Sequence, residues 1–471
     1  MRIQTALLTR GLLRQAMNPK PSPVTHVRLA RGITSGVNTS VRQQRTAVPG
    51  ASGKSELAAL KERGLINNIV MRHVKSSRVT SLEIISDGKH VNITWDDGHK
   101  SRFHAMWLRH GCHCPDCRLD HNGMGNYQPD DIDLGIRVTS AEIEDNEILI
   151  LKWQYSDGHT HEGPIPLAWL RSYCPSSQQE RRKARVMTFF KDKTIPELEY
   201  ENVMNSDHGL YEWMCHLAER GICLIKNCPQ IEGTVAKIAG RIAPVQHTVY
   251  GEVFDVVSQP QPINAAYSPV SLSFHMDQCM YENAPGLQLL HCLQFDPDVI
   301  GGENTFADIF ELAHQLRKER PDYFDTLVRI PVFITQIHYS RDYPIHMINE
   351  RPLFSLNNRG ELMSINWHPM LIEVSANEED VEPFFEAYKH FYHMVKNFQS
   401  LYSRRLQSGD LISFNNRRVL HGRAAFSNQK GLRWFQGTYV ELSEFQSRLQ
   451  VFHNILGDGR PVTRLGMNNW Q

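Results

Sequence analysis

The sequence lacks a surplus of charge of either sign, because its 471 residues carry 51 Lys plus Arg and 51 Asp plus Glu. This balance removes the usual electrostatic argument for a nucleic-acid partner or an anionic membrane surface. The chain also has no run that approaches the roughly 20 apolar residues of a membrane-spanning helix. We therefore expect a protein that acts on small molecules, with neither a nucleic-acid partner nor a membrane.

Acidic residues are missing from the first 55 positions, which hold seven Arg and two Lys among many Ser, Thr and Ala. Leucines alternate with arginines between positions 7 and 14. This composition is typical of a mitochondrial transit segment, here 1–55, and predicts a location in the mitochondrial matrix. A disordered basic tail is the alternative interpretation, and the cytoplasm is the alternative location.

Cysteine is scarce, and three of the nine cysteines lie close together at Cys112, Cys114 and Cys117. Such crowding argues against a disulfide framework, whereas the spacing lets three thiolates converge on one zinc ion. Tetrahedral zinc needs a fourth ligand, and a closed site of this kind supports folding rather than catalysis. Spacing leaves four candidates open: His99, His113, His159 and His161. Three cysteines buried as small apolar residues are the alternative.

Two segments, 79–109 and 138–171, nearly repeat each other. Each alternates apolar and polar residues before an Asp-Gly-His turn and ends on Trp-Leu-Arg. Alternation before an Asp-Gly turn predicts β-hairpins. We therefore predict a small zinc-binding β domain over 75–175, in which the two copies pack on each other. A polar run follows it as a linker.

The remaining part, 185–471, mixes two periodicities. Helical spacing occurs over 207–220, 308–319 and 380–399, and short apolar runs over 287–292, 411–414 and 434–440 are typical of strands. Many short strands with helices outside predict a double-stranded β-helix, or jelly roll, with flanking helices. The predicted fold class is therefore α+β, mainly β.

An iron(II) site is predicted from His275, Asp277 and His421. Residues two apart on a strand point to the same side, so His275 and Asp277 can share one metal ion. Two imidazoles and one carboxylate leave three iron positions open, as non-haem oxygenases require. Arg433 lies on the next predicted strand, where its guanidinium can bind the far carboxylate of 2-oxoglutarate.

From about residue 79 onwards, the chain resembles the γ-butyrobetaine dioxygenase and trimethyllysine dioxygenase family of carnitine biosynthesis. The resemblance rests on Cys-x-Cys-x-x-Cys after Trp-Leu-Arg, Ser-Phe-His-Met-Asp, Gly-Leu-Gln-Leu-Leu-His-Cys and Val-Leu-His-Gly-Arg. It implies iron(II) on His275, Asp277 and His421 and 2-oxoglutarate on Arg433. It also implies structural zinc on the three cysteines and His159.

The resemblance further implies an aromatic cage for a trimethylammonium group, since ring faces attract a cation that cannot donate hydrogen bonds. The matching positions are Tyr250, Phe254, Tyr267 and Tyr439, with Phe254 where the family usually has Trp. Asn264 and Asn366 match the amides that hold the substrate carboxylate.

The activity implied by the resemblance is hydroxylation of γ-butyrobetaine to L-carnitine with oxygen and 2-oxoglutarate. Ascorbate for full activity and a homodimer are implied with it. The alternatives are hydroxylation of trimethyllysine or of another quaternary ammonium compound. A rival of another class is a non-catalytic betaine-binding or zinc-dependent interaction protein, which predicts missing iron ligands or a broken cage.

Overall fold

The computed structural model describes residues 78–118, 124–126, 128–174, 194–258, 265–341, 343–370, 372–398, 402–427, 431–457 and 462. The transit segment predicted at 1–55, the first residues of the predicted zinc domain and the linker lie outside the described residues. So does Asn264. Among the described helices, none combines the length and apolar character that crossing a lipid bilayer would require.

The two sequence repeats fold into two matching units of three antiparallel strands followed by a helix. The elements are β1 (Val79–Ile85), β2 (His90–Trp95), β3 (Lys100–His104), α1 (Ala105–His110), β4 (Arg137–Glu144), β5 (Ile148–Gln154), β6 (Thr160–Pro166) and α2 (Leu167–Tyr173). The sheet orders are β1-β2-β3 and β4-β5-β6. Both units contain a register shift at the threonine of a Val-Thr-Ser sequence, Thr80 in β1 and Thr139 in β4.

The two units share one hydrophobic core, as predicted for copies that pack on each other. Trp95 of the first unit and Trp153 of the second are almost completely buried in it, and the three cysteines belong to the same cluster. This core contains only residues between 79 and 174 among the described residues.

The rest of the chain contains most of the strands. These are β7 (Glu197–Glu199), β8 (Ile222–Lys226), β9 (Phe254–Val257), β10 (Leu272–His275), β11 (Leu287–Phe295), β12 (Ile300–Gly301), β13 (Asn304–Asp308), β14 (Pro331–His338), β15 (Ile345–Pro352), β16 (Phe354–Leu356), β17 (Leu362–Ile365), β18 (Ile372–Val374), β19 (Tyr402–Arg404), β20 (Leu411–Asn415), β21 (Val419–Arg423), β22 (Phe426–Ser427) and β23 (Arg433–Val440). The helices are α3 (Tyr200–Asn205), α4 (Asp207–Arg220), α5 (Thr234–Ala239), α6 (Ile309–Glu319), α7 (Pro321–Arg329), α8 (Glu378–Asn397) and α9 (Leu442–Ile455).

Two sheets position the functional residues. One has six strands in the order β7-β8-β20-β11-β23-β9, and the other has four in the order β10-β21-β13-β19. All neighbouring pairs are antiparallel except β7 with β8. A single cavity is lined by residues of both sheets.

Alternation along β11 explains how the six-stranded sheet serves both a core and a cavity. Successive side chains of a strand point to opposite faces. Leu287 and Leu289 pack into the cluster formed with α4, α5 and α9, whereas Gln288 and Leu290 line the cavity. Burying a leucine fully contributes roughly 1.5–3 kcal/mol, so the apolar face holds the register that aims Gln288 inward.

Candidate active site

Three metal-ligating side chains meet at the four-stranded sheet. His275 ends β10, Asp277 follows two residues later, and His421 occupies the middle of β21. The strands pair so that His275 and His421 are direct cross-strand partners. One donor atom of each residue lies within 4.8 Å of the other two. The Nε2 atoms of His275 and His421 are 3.4 and 3.7 Å from Oδ1 of Asp277.

Hydrogen bonds fix how these donors point. Nδ1 of His275 donates to the Ser273 carbonyl at 2.8 Å, which leaves Nε2 free to bind a metal. Oδ2 of Asp277 accepts from Gln288 Nε2 and from the Tyr439 hydroxyl, both at 2.7 Å. The other carboxylate oxygen, Oδ1, is thus the one that faces the two imidazoles.

The pKa shifts of His421 and Asp277 also suit a cation. Burial lowers the pKa of His421 to about 3, so its imidazole is neutral, the form that binds metals. Burial acts to raise the pKa of Asp277, but the neighbouring His421 and His275 hold it below its usual range. A neutral imidazole beside an ionised carboxylate fits iron(II), with three coordination positions left open.

Arg433 lines the same cavity at the start of β23. Its side chain is buried, and its Nη2 donates only a long hydrogen bond of 3.4 Å to Asn304. Its Nε has no hydrogen-bond partner, and among the described residues no carboxylate pairs with it. Burial lowers the pKa of Arg433 to about 9, so it is cationic at neutral pH. A buried guanidinium without a counter-ion fits an anionic cosubstrate such as 2-oxoglutarate.

The four predicted cage residues, Tyr250, Phe254, Tyr267 and Tyr439, all line this cavity. Phe254 stacks on Tyr439 with ring centroids 5.2 Å apart, and Tyr250 lies 6.1 Å from Phe254. Phe254 and Gly437 face each other across β9 and β23. A Cβ atom on Gly437 would come within 2.2 Å of the Phe254 ring, so glycine is required there.

The prediction for Asn366 is corrected by the structure. Its side chain is completely buried and donates to the Pro352 carbonyl at 3.2 Å, and it does not line the cavity. His368, two residues later, lines the cavity in its place. The reason is local, because the Asn366 amide donates to the Leu353 carbonyl at 2.9 Å and its side chain to the Pro352 carbonyl, and these two bonds hold the residue against the segment between β15 and β16.

The sequence analysis did not identify several residues that line or support the site. Gln288 positions Asp277, and Asn416 holds its backbone by a hydrogen bond in each direction, at 2.9 and 3.0 Å. Arg423 donates to the carbonyls of Ala266, Ser268 and Val270, the loop that carries Tyr267. Arg423 had a signal in the sequence, since it follows His421 by two residues on one strand and therefore faces the same side.

The three cysteines of the first domain surround a histidine. Nε2 of His161 lies 3.4, 3.7 and 3.6 Å from the sulfurs of Cys112, Cys114 and Cys117. The donor atoms of all four residues lie within 4.8 Å of one another, a set that fits tetrahedral zinc. Hydrogen bonds from the other two thiols lower the pKa of Cys117, and the Arg109 guanidinium, 3.0 Å away, adds to this effect.

His161 therefore replaces His159, the residue implied by the family resemblance. His159 is exposed in the hairpin turn, where its ring stacks on Tyr155 at 3.9 Å. The sequence signal was the repeat itself. His161 occupies the position of Ser101, which is buried in the first unit, whereas His159 corresponds to the turn residue His99.

We expect His161→Ala to lower bound zinc from about one equivalent per chain to a small fraction of that, since a structural site needs all four ligands. His159→Ala is the matched control and should keep full zinc and an unchanged melting temperature. Zinc content by atomic emission and thermal unfolding of both variants check this. Loss of zinc in the His159 variant alone would show that His159, and not His161, is the fourth zinc ligand.

The two imidazoles, the carboxylate and the buried Arg433 define a 2-oxoglutarate-dependent dioxygenase that uses iron(II). Residues 185–439 match the family model "Taurine catabolism dioxygenase TauD, TfdA family", and residues 82–162 match "Gamma-butyrobetaine hydroxylase-like, N-terminal". The chain belongs to this dioxygenase family, in the group that contains the γ-butyrobetaine and trimethyllysine dioxygenases.

Named relatives match most of the chain. A γ-butyrobetaine dioxygenase of Pseudomonas sp. (strain AK-1) is 32% identical over 369 residues, or 77% of this chain and 93% of the relative. The γ-butyrobetaine dioxygenase of Homo sapiens is 29% identical, with coverage of 79% and 97%. A trimethyllysine dioxygenase of Meyerozyma guilliermondii is 28% identical, with coverage of 79% and 95%.

Proposed function

We propose that this protein hydroxylates γ-butyrobetaine at carbon 3 to give L-carnitine. One observation carries the proposal: the Tyr439 hydroxyl donates to Oδ2 of the iron ligand Asp277 at 2.7 Å. Tyr439 is also a wall of the aromatic cage, so a trimethylammonium group bound there lies next to the metal ligands. In γ-butyrobetaine, carbon 3 is two bonds from the nitrogen, which suits this short separation.

The charges of the cavity support the same substrate. Asp277 is the sole carboxylate among the described residues that line the cavity. One of its oxygens faces the two imidazoles, and the other accepts hydrogen bonds from Gln288 and Tyr439. Trimethyllysine carries an additional amino group, which calls for an acidic partner of its own. γ-Butyrobetaine has one quaternary nitrogen and one carboxylate and no amino group, so it needs no additional acidic residue in the cavity.

Each part of the chain has a distinct task in this proposal. Iron(II) and 2-oxoglutarate, once bound, supply the chemistry that places one oxygen atom of O2 into a C–H bond. The cage attracts the ammonium group, and Arg433 orients the far carboxylate of 2-oxoglutarate. Positioning is the protein's main contribution, because misplacement by about 1 Å can reduce the rate on the order of 100-fold.

The remaining assignments complete the proposal. We propose that the two sheets form a double-stranded β-helix and that the Cys112 cluster binds a structural zinc ion. The Arg-rich residues 1–55 support transit to the mitochondrial matrix. Full activity in the presence of ascorbate and a homodimeric state follow from the family resemblance.

The purified protein supplied with iron(II), ascorbate, 2-oxoglutarate and either γ-butyrobetaine or trimethyllysine tests the substrate. We expect the larger kcat/KM for γ-butyrobetaine, measured by mass spectrometry of the hydroxylated product. Preferential turnover of trimethyllysine would assign the rival substrate. Binding of betaine without any succinate formation would instead favour the non-catalytic binding protein.

A narrower prediction concerns the cage. Phe254→Leu should raise KM for γ-butyrobetaine about 3- to 10-fold, since a single ring face contributes roughly 0.5–2 kcal/mol to binding a cation. Phe385→Leu, on the exposed face of α8, is the control. An uncharged analogue with a tert-butyl group in place of the trimethylammonium group should lose far less affinity. Equal losses for both ligands would mean that Phe254 acts by shape alone.

A further inference from the structure

His368 is a cavity residue that neither the metal site nor the cage uses. It lines the cavity beside His275, with ring centroids 5.2 Å apart and ring planes at 64°. His368 does not belong to the group of possible metal ligands formed by His275, Asp277 and His421. Neither ring nitrogen forms a hydrogen bond to another described residue, and of the two only Nδ1 is enclosed by protein atoms, so Nε2 is the nitrogen that a ligand can reach. Polar groups inside a protein are nearly always hydrogen-bonded, so an imidazole left unpaired beside a cavity indicates a ligand.

The backbone around His368 is firmly held. The carbonyl of Trp367 accepts from the Met276 amide at 2.9 Å, and its indole Nε1 donates to the Phe274 carbonyl at 3.2 Å. The Trp367 ring is completely buried against Phe391 of α8. These contacts attach the segment to the strand that carries His275. The backbone that presents His368 to the cavity is therefore held in place before any ligand binds, as a specificity residue requires.

The other hydrogen-bond donors of the cavity are largely engaged. Arg423 donates to three carbonyls, Gln288 donates to Asp277, and Gln336 donates to the Tyr250 hydroxyl at 3.1 Å. Arg433 is reserved for 2-oxoglutarate in the proposed function. Two further amides are unpaired: Gln278 follows Asp277 directly and adjoins the cage residue Tyr439, and Asn304 accepts from Arg433, at the cosubstrate end of the cavity. His368 is thus a free donor outside the cage.

We propose that His368 is a specificity-determining residue whose Nε2 donates a hydrogen bond to the substrate carboxylate, at the end opposite the trimethylammonium group. This proposal rests on the proposed function. It gives His368 the task that the sequence had assigned to Asn366, whose amide is buried outside the cavity. The substrate is then held at both ends, by the cage and by the imidazole, and the carbon between them faces the metal.

The test uses two ligands and four variants of the full-length protein. The ligands are γ-butyrobetaine and its neutral carboxamide, which keeps the ammonium group and the chain length. The variants are His368→Ala, His368→Asn, Asn366→Ala and Gln278→Ala. Calorimetric affinities under argon, kcat and KM, iron(II) affinity and melting temperature are measured for each variant.

A hydrogen bond to a charged group predicts that His368→Ala weakens γ-butyrobetaine binding about 10- to 100-fold and carboxamide binding no more than about 3-fold. KM should carry most of the effect, with iron affinity unchanged. His368→Asn keeps a donor and should recover part of the loss. Asn366→Ala should leave the preference for the carboxylate over the carboxamide at the wild-type value.

Several outcomes would overturn the proposal. Equal losses for both ligands, or a parallel loss of iron affinity, would make His368 a support of the metal site. A carboxylate-selective loss in Asn366→Ala or Gln278→Ala, but not in His368→Ala, would move the subsite to those residues. If the wild-type protein binds γ-butyrobetaine and His368→Ala matches it, this proposal alone fails. If the wild-type protein does not bind γ-butyrobetaine, both the proposed function and this proposal about His368 fail.

Discussion

Replacing His421 with alanine should abolish 2-oxoglutarate-coupled hydroxylation, with kcat/KM reduced on the order of 1,000-fold or more. His421 supplies one of three donors within 4.8 Å, and its cross-strand partner is another of them, His275. The two remaining ligands, His275 and Asp277, would bind iron(II) weakly and would no longer fix its position in the cavity. Iron content and succinate release are the measurements.

His216→Ala serves as the control for this variant, because His216 lies on α4 and does not line the cavity. It should keep wild-type iron content and activity. The imidazole of His421 is only 12% exposed, so its removal can also affect folding, and the melting temperature of His421→Ala must be compared without metal as well. Activity that survives in a folded, iron-loaded His421→Ala protein would refute the assignment of the third ligand.

Arg433→Gln should raise KM for 2-oxoglutarate about 100- to 1,000-fold, with a much smaller change in KM for the betaine. The guanidinium is buried without a counter-ion, and removal of one partner from a buried charge pair costs roughly 2–5 kcal/mol. Glutamine keeps hydrogen-bond capacity and removes the charge, so the loss reports the ionic contribution. Steady-state kinetics with 2-oxoglutarate varied at saturating betaine measure it.

A cosubstrate analogue sharpens this experiment. 2-Oxovalerate keeps the keto-acid end that meets iron but has a methyl group where 2-oxoglutarate has its far carboxylate. Wild-type and Arg433→Gln proteins should use this analogue equally poorly. Arg404→Gln, whose side chain pairs with Glu197, is the charge-matched control and should behave as wild type. An equal loss with both cosubstrates would place the far carboxylate somewhere other than Arg433.

The sequence predicted the parts of the site that depend on spacing along one strand. His275 and Asp277 are two residues apart, and alternation alone directs both to one side. The apolar runs at 287–292, 411–414 and 434–440 lie within the observed strands β11, β20 and β23. That His421 would meet His275 depends on the pairing of β10 with β21, a non-local contact that strand spacing alone does not fix.

The errors came from positions decided by packing between elements. His159 and His161 both follow the Asp-Gly turn, and the pairing of β5 with β6 places His161 in the strand beside the thiols. Asn366 is held by the carbonyls of Leu353 and Pro352, contacts with a neighbouring strand segment that the sequence does not reveal. The fit of Phe254 against Gly437 also joins two strands that are distant in sequence.

The most direct test of the account is anomalous diffraction at the iron edge from crystals grown without oxygen in the presence of iron(II) and 2-oxoglutarate. We expect one iron peak bound by Nε2 of His275, a carboxylate oxygen of Asp277 and Nε2 of His421, with the far carboxylate of 2-oxoglutarate paired to Arg433. An iron peak away from these three side chains, or 2-oxoglutarate bound without Arg433, would contradict the account.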